Sequence, residues 1–133
     1  DDSSPNAILI NGKGGQTTDP SRRPKRCKAP HAGPDAKFDS DCPLPQYEQF
    51  DVEFGKRFRF RVISTATHMD CAMRVSVDEH DMTVVATDGA SVQPYVCQSF
   101  VIYNAERYDF ILNANKDADN YWMRVTVNFL KLI

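Results

Sequence analysis

The sequence predicts an all-β sandwich. Three observations carry this reading: short runs in which apolar and polar residues alternate, breaks between them built from Asp, Gly, Asn and Pro, and the lack of any helical period of useful length. Alternation with period two marks a half-buried strand, and about eight such runs at regular spacing suit two packed sheets. The chain has 133 residues, 41% of them hydrophobic. That length fits one domain, so 1–133 is expected to form a single unit, and the apolar share is too high for a disordered chain.

Taken in order, Ala7-Ile8-Leu9-Ile10 is a short apolar run closed by Asn11-Gly12, which reads as a buried strand and a turn. Residues 13–45 differ in kind. They hold Pro20, Pro24, Pro30, Pro34, Pro43 and Pro45, together with the basic cluster Arg22, Arg23, Lys25, Arg26 and Lys28. Proline at that density blocks ladder hydrogen bonds, so this is a long surface-loop insertion. Alternation resumes at Tyr47–Phe54 through Phe50, Val52 and Phe54, and Gly55-Lys56 ends it. Arg57–Ser64 is the clearest strand: Phe58, Phe60 and Val62 point one way, and Arg57, Arg59 and Arg61 the other. The arginine row is read as a solvated face that pairs with acids on neighbouring strands rather than as a nucleic-acid surface.

A loop from Thr65 to Cys71, carrying His68 and Asp70, leads to the centre of the chain. There Met73, Val75 and Val77 alternate with Arg74, Ser76 and Asp78. Asp78-Glu79-His80-Asp81 breaks the run, Met82, Val84 and Ala86 restart it, and Asp88-Gly89 turns it. After Gln93-Pro94 a third run passes through Val96, Phe100 and Ile102. Asn104-Ala105-Glu106 then turns into a strand over Arg107–Asn113, and Asn115–Asn120 is a polar turn. Tyr121–Val127 is the last strand, with Phe129–Ile133 extending it.

The formal net charge of -2 supplies no field to draw in nucleic acid or an anionic membrane. No apolar run approaches the roughly 20 residues of a spanning helix. The chain does not begin with Met, so it is expected to be a processed protein or one piece of a longer one. Four cysteines, Cys27, Cys42, Cys71 and Cys97, suit a secreted, disulfide-bonded chain better than a metal site, because no Cys-x-x-Cys pair occurs. Three pairings are open. The expected one joins Cys27 to Cys42 and Cys71 to Cys97. The first bridge would close a loop with 14 residues between its ends, worth about 3 kcal/mol in chain entropy.

Six blocks then fall in an ordered series: ILINGKG (Ile8 to Gly14), GKRFRFRVIS (Gly55 to Ser64), VSVDEHDMTVVATDG (Val75 to Gly89), VQPYV (Val92 to Val96), ERYDFILNAN (Glu106 to Asn115) and NYWMRV (Asn120 to Val125). The series resembles the middle domain of three-domain multicopper oxidases, most of all laccases. The resemblance implies a cupredoxin-like Greek-key β-sandwich. It also implies a parent activity, the one-electron oxidation of phenols coupled to reduction of dioxygen to water. In that family the coppers lie in or between the other domains, so no cofactor is expected in this chain and the partners implied are the copper-bearing cupredoxin domains. The residues agree. A cupredoxin copper needs two His and a Cys with a weak axial ligand, whereas this chain has only His31, His68 and His80, none in a His-x-His pair. His68, Cys71 and Met73 lie close together in sequence but lack a second His.

The resemblance also places Asp70 where fungal laccases have a carboxylate in the phenol pocket. Such a group accepts the phenol hydrogen bond and takes its proton as the electron leaves; an ordinary turn-capping aspartate is the competing reading. His80 is expected to be a turn imidazole bonded to backbone, and Tyr121 and Trp122 to be packing residues. His31 and the basic cluster are read as a solvated loop. Two functions remain open at this point. One is the middle domain of a laccase-like oxidase, lining one wall of the substrate pocket. The other is a free-standing, secreted, copper-free protein with a structural or binding role, prone to self-association through freed sheet edges.

Overall fold

The computed structural model describes residues 8–14, 47–66 and 72–128. They fall in two compact units, one of 51–66 with 72–128, the other of 8–14 with 47–50. The larger unit is built from seven strands: β1 (Arg57–Ile63), β2 (Ala72–Val77), β3 (Met82–Thr87), β4 (Ala90–Cys97), β5 (Ser99–Ile102), β6 (Arg107–Asn113) and β7 (Met123–Asn128). Every pairing is antiparallel. One sheet has the order β1-β6-β3-β4 and the other β5-β2-β7. The described residues contain no helix long and apolar enough to cross a membrane.

The alternation in the sequence becomes burial in the structure. Val75 and Val77 of β2, Met82 and Val84 of β3, Phe100 and Ile102 of β5, and Phe110 and Leu112 of β6 form one buried cluster. Both sheets contribute, so the core is the interior of a sandwich. Each such side chain taken from water stabilises the fold by about 1.5–3 kcal/mol. Phe60 stacks on its register partner Phe110 with ring centroids 5.2 Å apart, and Phe100 from the opposing sheet meets Phe110 at 5.8 Å and Tyr108 at 5.0 Å. These rings tie the two sheets together.

Turns follow local chemistry. Asp88 and Gly89 both take positive φ, 49° and 85°, between the paired Thr87 and Ala90. That is the two-residue primed turn whose twist matches antiparallel strands. Arg107 fixes this hairpin: its N–H donates to Asp88 Oδ1 at 3.0 Å, and its guanidinium donates to the Asp88 carbonyl at 3.1 Å. Outside the core, Arg59 donates twice to Asp109 Oδ2, at 3.0 and 2.7 Å, and Arg61 lies 3.7 Å from the same oxygen. The arginine row therefore does pair with an acid on the neighbouring strand.

Three elements depart from the sequence reading. The run after Gln93-Pro94 is not one strand. β4 starts at Ala90 and ends at Cys97, and after Gln98 the chain continues as β5 in the other sheet. β4 is an outer strand exposed along nearly its whole length, so its residues carry no alternation to read. Tyr47–Phe54 forms no strand among the described residues despite its alternation, and Phe50, Val52 and Phe54 are exposed. Ile8–Ile10 is likewise no strand: Ile10 and Lys13 form a single bridge around Asn11 and Gly12, both at positive φ. In that smaller unit Lys13 Nζ sits 2.9 Å from Glu48 Oε1, and this hydrogen bond holds the Glu48 carboxyl below the usual carboxylate range. Positions 15–46, which include most of the Pro-rich insertion, and 129–133 lie outside the described residues.

Candidate functional site

The connection that carries Asp70 leaves the end of β1 and returns at the start of β2. These strands belong to different sheets, so the connection passes from one sheet to the other at this end of the sandwich. Asp70 itself, with His68 and Cys71, lies outside the described residues, as do His31, Cys27 and Cys42. The two anchors of the connection are described. Ser64, the residue after β1, donates its N–H to the Glu106 carbonyl at 3.0 Å and accepts from the Ala105 N–H at 3.0 Å. Ala105 takes a φ of 64°, and Glu106 Oε2 accepts from the Tyr103 N–H at 2.7 Å. The β5–β6 turn therefore grips the end of β1 on both its hydrogen-bonding groups. At the other anchor, Ala72 is buried and precedes Met73, which pairs with Ile102 of β5.

Ser64 is a residue the sequence reading passed over. It is 4% exposed, and its Oγ is buried with no hydrogen-bond partner among the described residues. The signal was present in its parity: it continues the inward series Phe58, Phe60, Val62, yet it is polar. A buried hydroxyl without a partner costs about 1–3 kcal/mol relative to a satisfied one.

His80 sits where a turn histidine should. Its ring is largely buried, Nδ1–H donates to the Asp78 carbonyl at 2.8 Å, and the ring meets Tyr121 edge-on at 4.7 Å. A carbonyl only accepts, so this contact commits Nδ1 to donation. Tyr121 passes its hydroxyl to the Asp117 carbonyl at 2.8 Å. Partial burial, then the nearby acids Glu79, Asp119 and Asp117, push its phenol upward. Trp122 is 56% exposed, and its carbonyl accepts from the Asp78 N–H. Arg124 closes the cluster: Nε meets Asp78 Oδ1 at 2.7 Å and Nη2 meets Oδ2 at 2.6 Å. This fork holds the Asp78 carboxyl below its usual range. The cluster locks the β2–β3 turn onto β7. Among the described residues, no three His, Cys, Asp or Glu side chains are placed to hold a metal ion.

Cys97 is a free thiol, so the expected bridge to Cys71 is not formed. The register gives the reason. Ser76 pairs with Ser99, which puts Cys97 beyond the Val77 end of β2, while Cys71 precedes its Ala72 end. Six strand residues span about 20 Å, and a disulfide needs Cα atoms within about 7 Å. Burial, then the charge of Asp81, pushes the Cys97 thiol upward.

Two antiparallel sheets facing each other across this core, joined by strands that switch sheets, make a cupredoxin-like β-sandwich of Greek-key type. Solved laccases share it: a point mutant of the laccase from B. aclada superposes with a TM-score of 0.59 at 32% identity, over 68% of this chain and 16% of that one. The sequence profile described as "Multicopper oxidase" matches residues 2–132, and the chain belongs to the multicopper oxidase family. It is similar to a laccase of Trametes maxima, 35% identical over 123 residues, covering 92% of this chain and 20% of that protein. Laccase-2 of Trametes versicolor is 43% identical over 79 residues, 59% of this chain and 15% of that protein. The chain thus spans about a fifth or less of the length of these laccases.

Proposed function

We propose that this chain serves as the middle domain of a secreted, laccase-type multicopper oxidase. It bridges copper-bearing cupredoxin domains and supplies one wall of the donor pocket. The observation that carries the reading is the family match over residues 2–132 by a chain that corresponds to only a fifth of the Trametes maxima laccase. A segment of that share is one domain of a larger enzyme. Its own side chains do not suit a copper centre: the sequence has three histidines, and the one described, His80, has a ring nitrogen committed to a backbone carbonyl. Copper elsewhere in the oxidase would accept electrons and pass them to dioxygen.

The part played by this chain is on the donor side. Oxidation of a phenol to a phenoxyl radical releases one electron and one proton. The Asp70 carboxylate takes the phenolic proton as the electron leaves, which avoids a phenol radical cation. The carboxylate becomes a carboxylic acid and returns the proton to water before the next turnover.

The test is Asp70→Asn in the full-length oxidase, assayed with a phenol and with ferrocyanide, an electron donor that has no proton to lose. Expected is a fall of about 10²-fold or more in kcat/KM for the phenol, with ferrocyanide oxidation unchanged. Equal loss on both donors, or no loss on the phenol, overturns the assignment.

A further inference from the structure

β1 is a border strand. In the order β1-β6-β3-β4 one of its edges pairs with β6, and among the described residues no strand pairs with the other. Its outward row, Arg57, Arg59 and Arg61, meets one acid on β6: Asp109 is bonded by Arg59 and approached by Arg61 at 3.7 Å. Arg57 is in no ion pair among the described residues. The inward row, Phe58, Phe60 and Val62, is only half-buried. An open edge with cations on one face and uncovered apolar side chains on the other fits an extended segment in which acids alternate with apolar residues. The chain carries such a segment just before β1. Asp51-Val52-Glu53-Phe54 has that alternation, and all four residues are exposed and lie in no strand.

Parity explains why this segment does not pair with β1 of its own chain. The turn between them is closed by the Lys56 N–H donating to the Glu53 carbonyl at 3.1 Å, with Gly55 at a φ of 79°. A hairpin continued from that turn would set Val52 against Arg57 and Asp51 against Phe58, the wrong partner at each step. Positive φ at the second central residue alone also marks a type II turn, which splays the strands it joins. A second copy is free of that constraint. We propose that two copies of this chain pair through their β1 borders, the 51–54 segment of each adding to β1 of the other. In the antiparallel register that sets Glu53 opposite Arg57, Val52 falls opposite Phe58 and Asp51 opposite Arg59. Acids meet arginines, apolar meets apolar, and Arg57 gains an acid. Opening the turn gives up one backbone hydrogen bond and the exposed Lys56–Glu53 pair, and the new ladder replaces both. The register reads the same from either copy, with Gly55 facing Gly55 on the two-fold axis, so the pair closes on itself. The arginines repel a second β1, where cation would meet cation, and select the acidic segment. The proposal is independent of the role of Asp70.

Charge exchange decides it, read by sedimentation velocity of the 133-residue chain across the micromolar range. Wild type is expected to pass from monomer to dimer as concentration rises. Glu53→Arg sets arginine against arginine at two symmetry-related contacts, and Arg57→Glu sets glutamate against glutamate. Each variant alone is expected to associate about tenfold more weakly or worse. Mixed in equal amounts, the two variants are complementary at both contacts, and the dimer is expected to return, which also shows that both are folded. Hydrogen exchange supplies the position: the amides of residues 51–54 slow in the wild-type dimer and in the mixed dimer. The proposal is overturned by a wild type that stays monomeric or grows past the dimer, by single variants that associate like wild type, or by a mixture that stays monomeric. A dimer whose 51–54 amides exchange as fast as those of the monomer overturns it as well.

Discussion

Truncating Phe110 to Ala tests the sandwich at its centre. The ring has 0% exposure and sits on β6, which lies between β1 and β3. It stacks on Phe60 at 5.2 Å and meets Phe100 of the opposing sheet at 5.8 Å. Phe→Ala at a buried site costs about 3–5 kcal/mol, transfer and cavity together. Two aromatic pairs, each worth about 0.5–1.5 kcal/mol beyond area, place this site at the upper end of that range. Paired strands on both sides, β1 and β3, leave the cavity little room to collapse. A domain of this size has only about 5–15 kcal/mol in total, so most of its margin goes. Urea denaturation of the 133-residue chain, followed by far-ultraviolet circular dichroism, measures it; with a slope of about 2 kcal/mol per molar, the midpoint falls by roughly 2 M. Tyr95→Ala is the comparison, because Tyr95 is 67% exposed on β4 and a surface truncation stays within about 0.5 kcal/mol. A loss below about 1 kcal/mol at Phe110, or an equal loss at Tyr95, refutes the assignment of the core.

Two further outcomes follow from the electrostatics. The Arg124 guanidinium holds the Asp78 carboxyl low in the folded state, so the pair stabilises above the unfolded carboxylate range, near pH 3.9, and this is lost as pH falls through the lower folded value. Melting curves of wild type and Arg124→Gln between pH 2 and 7 are expected to differ most near neutrality and to converge under acid; a gap that widens on acidification contradicts the linkage. Burial and Asp81 raise the Cys97 thiol, so its alkylation by iodoacetamide at pH 8 is expected to run several-fold slower than that of a free cysteine. Peptide mass mapping resolves the site, and a rate equal to the free amino acid contradicts the assigned environment.

The sequence made most of this fold legible because half-buried strands write their burial into alternation. Phe58-Phe60-Val62, Val75-Val77 and Met82-Val84 all turn inward as their spacing requires. β4 wrote nothing, because an outer strand wet on both faces imposes no pattern, and Gln98-Ser99, where the chain changes sheets, is too short a polar break to separate two strands by sequence alone. Tyr47–Phe54 shows the converse, a pattern without a ladder, since alternation proposes a face and cannot supply the neighbouring strand that buries it. The expected Cys71–Cys97 bridge failed for a related reason: only register places Cys97 and Ala72 at opposite ends of β2. At the candidate site, the family resemblance pointed to Asp70, whereas Ser64 left only its inward parity as a signal and became plain through its burial.

Among the described residues, three of the four border strands of the two sheets carry a different safeguard each. β1 presents arginines, β5 is four residues long, and β4 has Pro94, which removes one donor, beside a register shift opposite Val84 and Ala86. A flat, unspoiled border would invite another polypeptide to add itself and begin a fibre. The bent rim of β4 makes a poor template for such growth, which leaves Tyr95 and Val96 wet without making them sticky along their length.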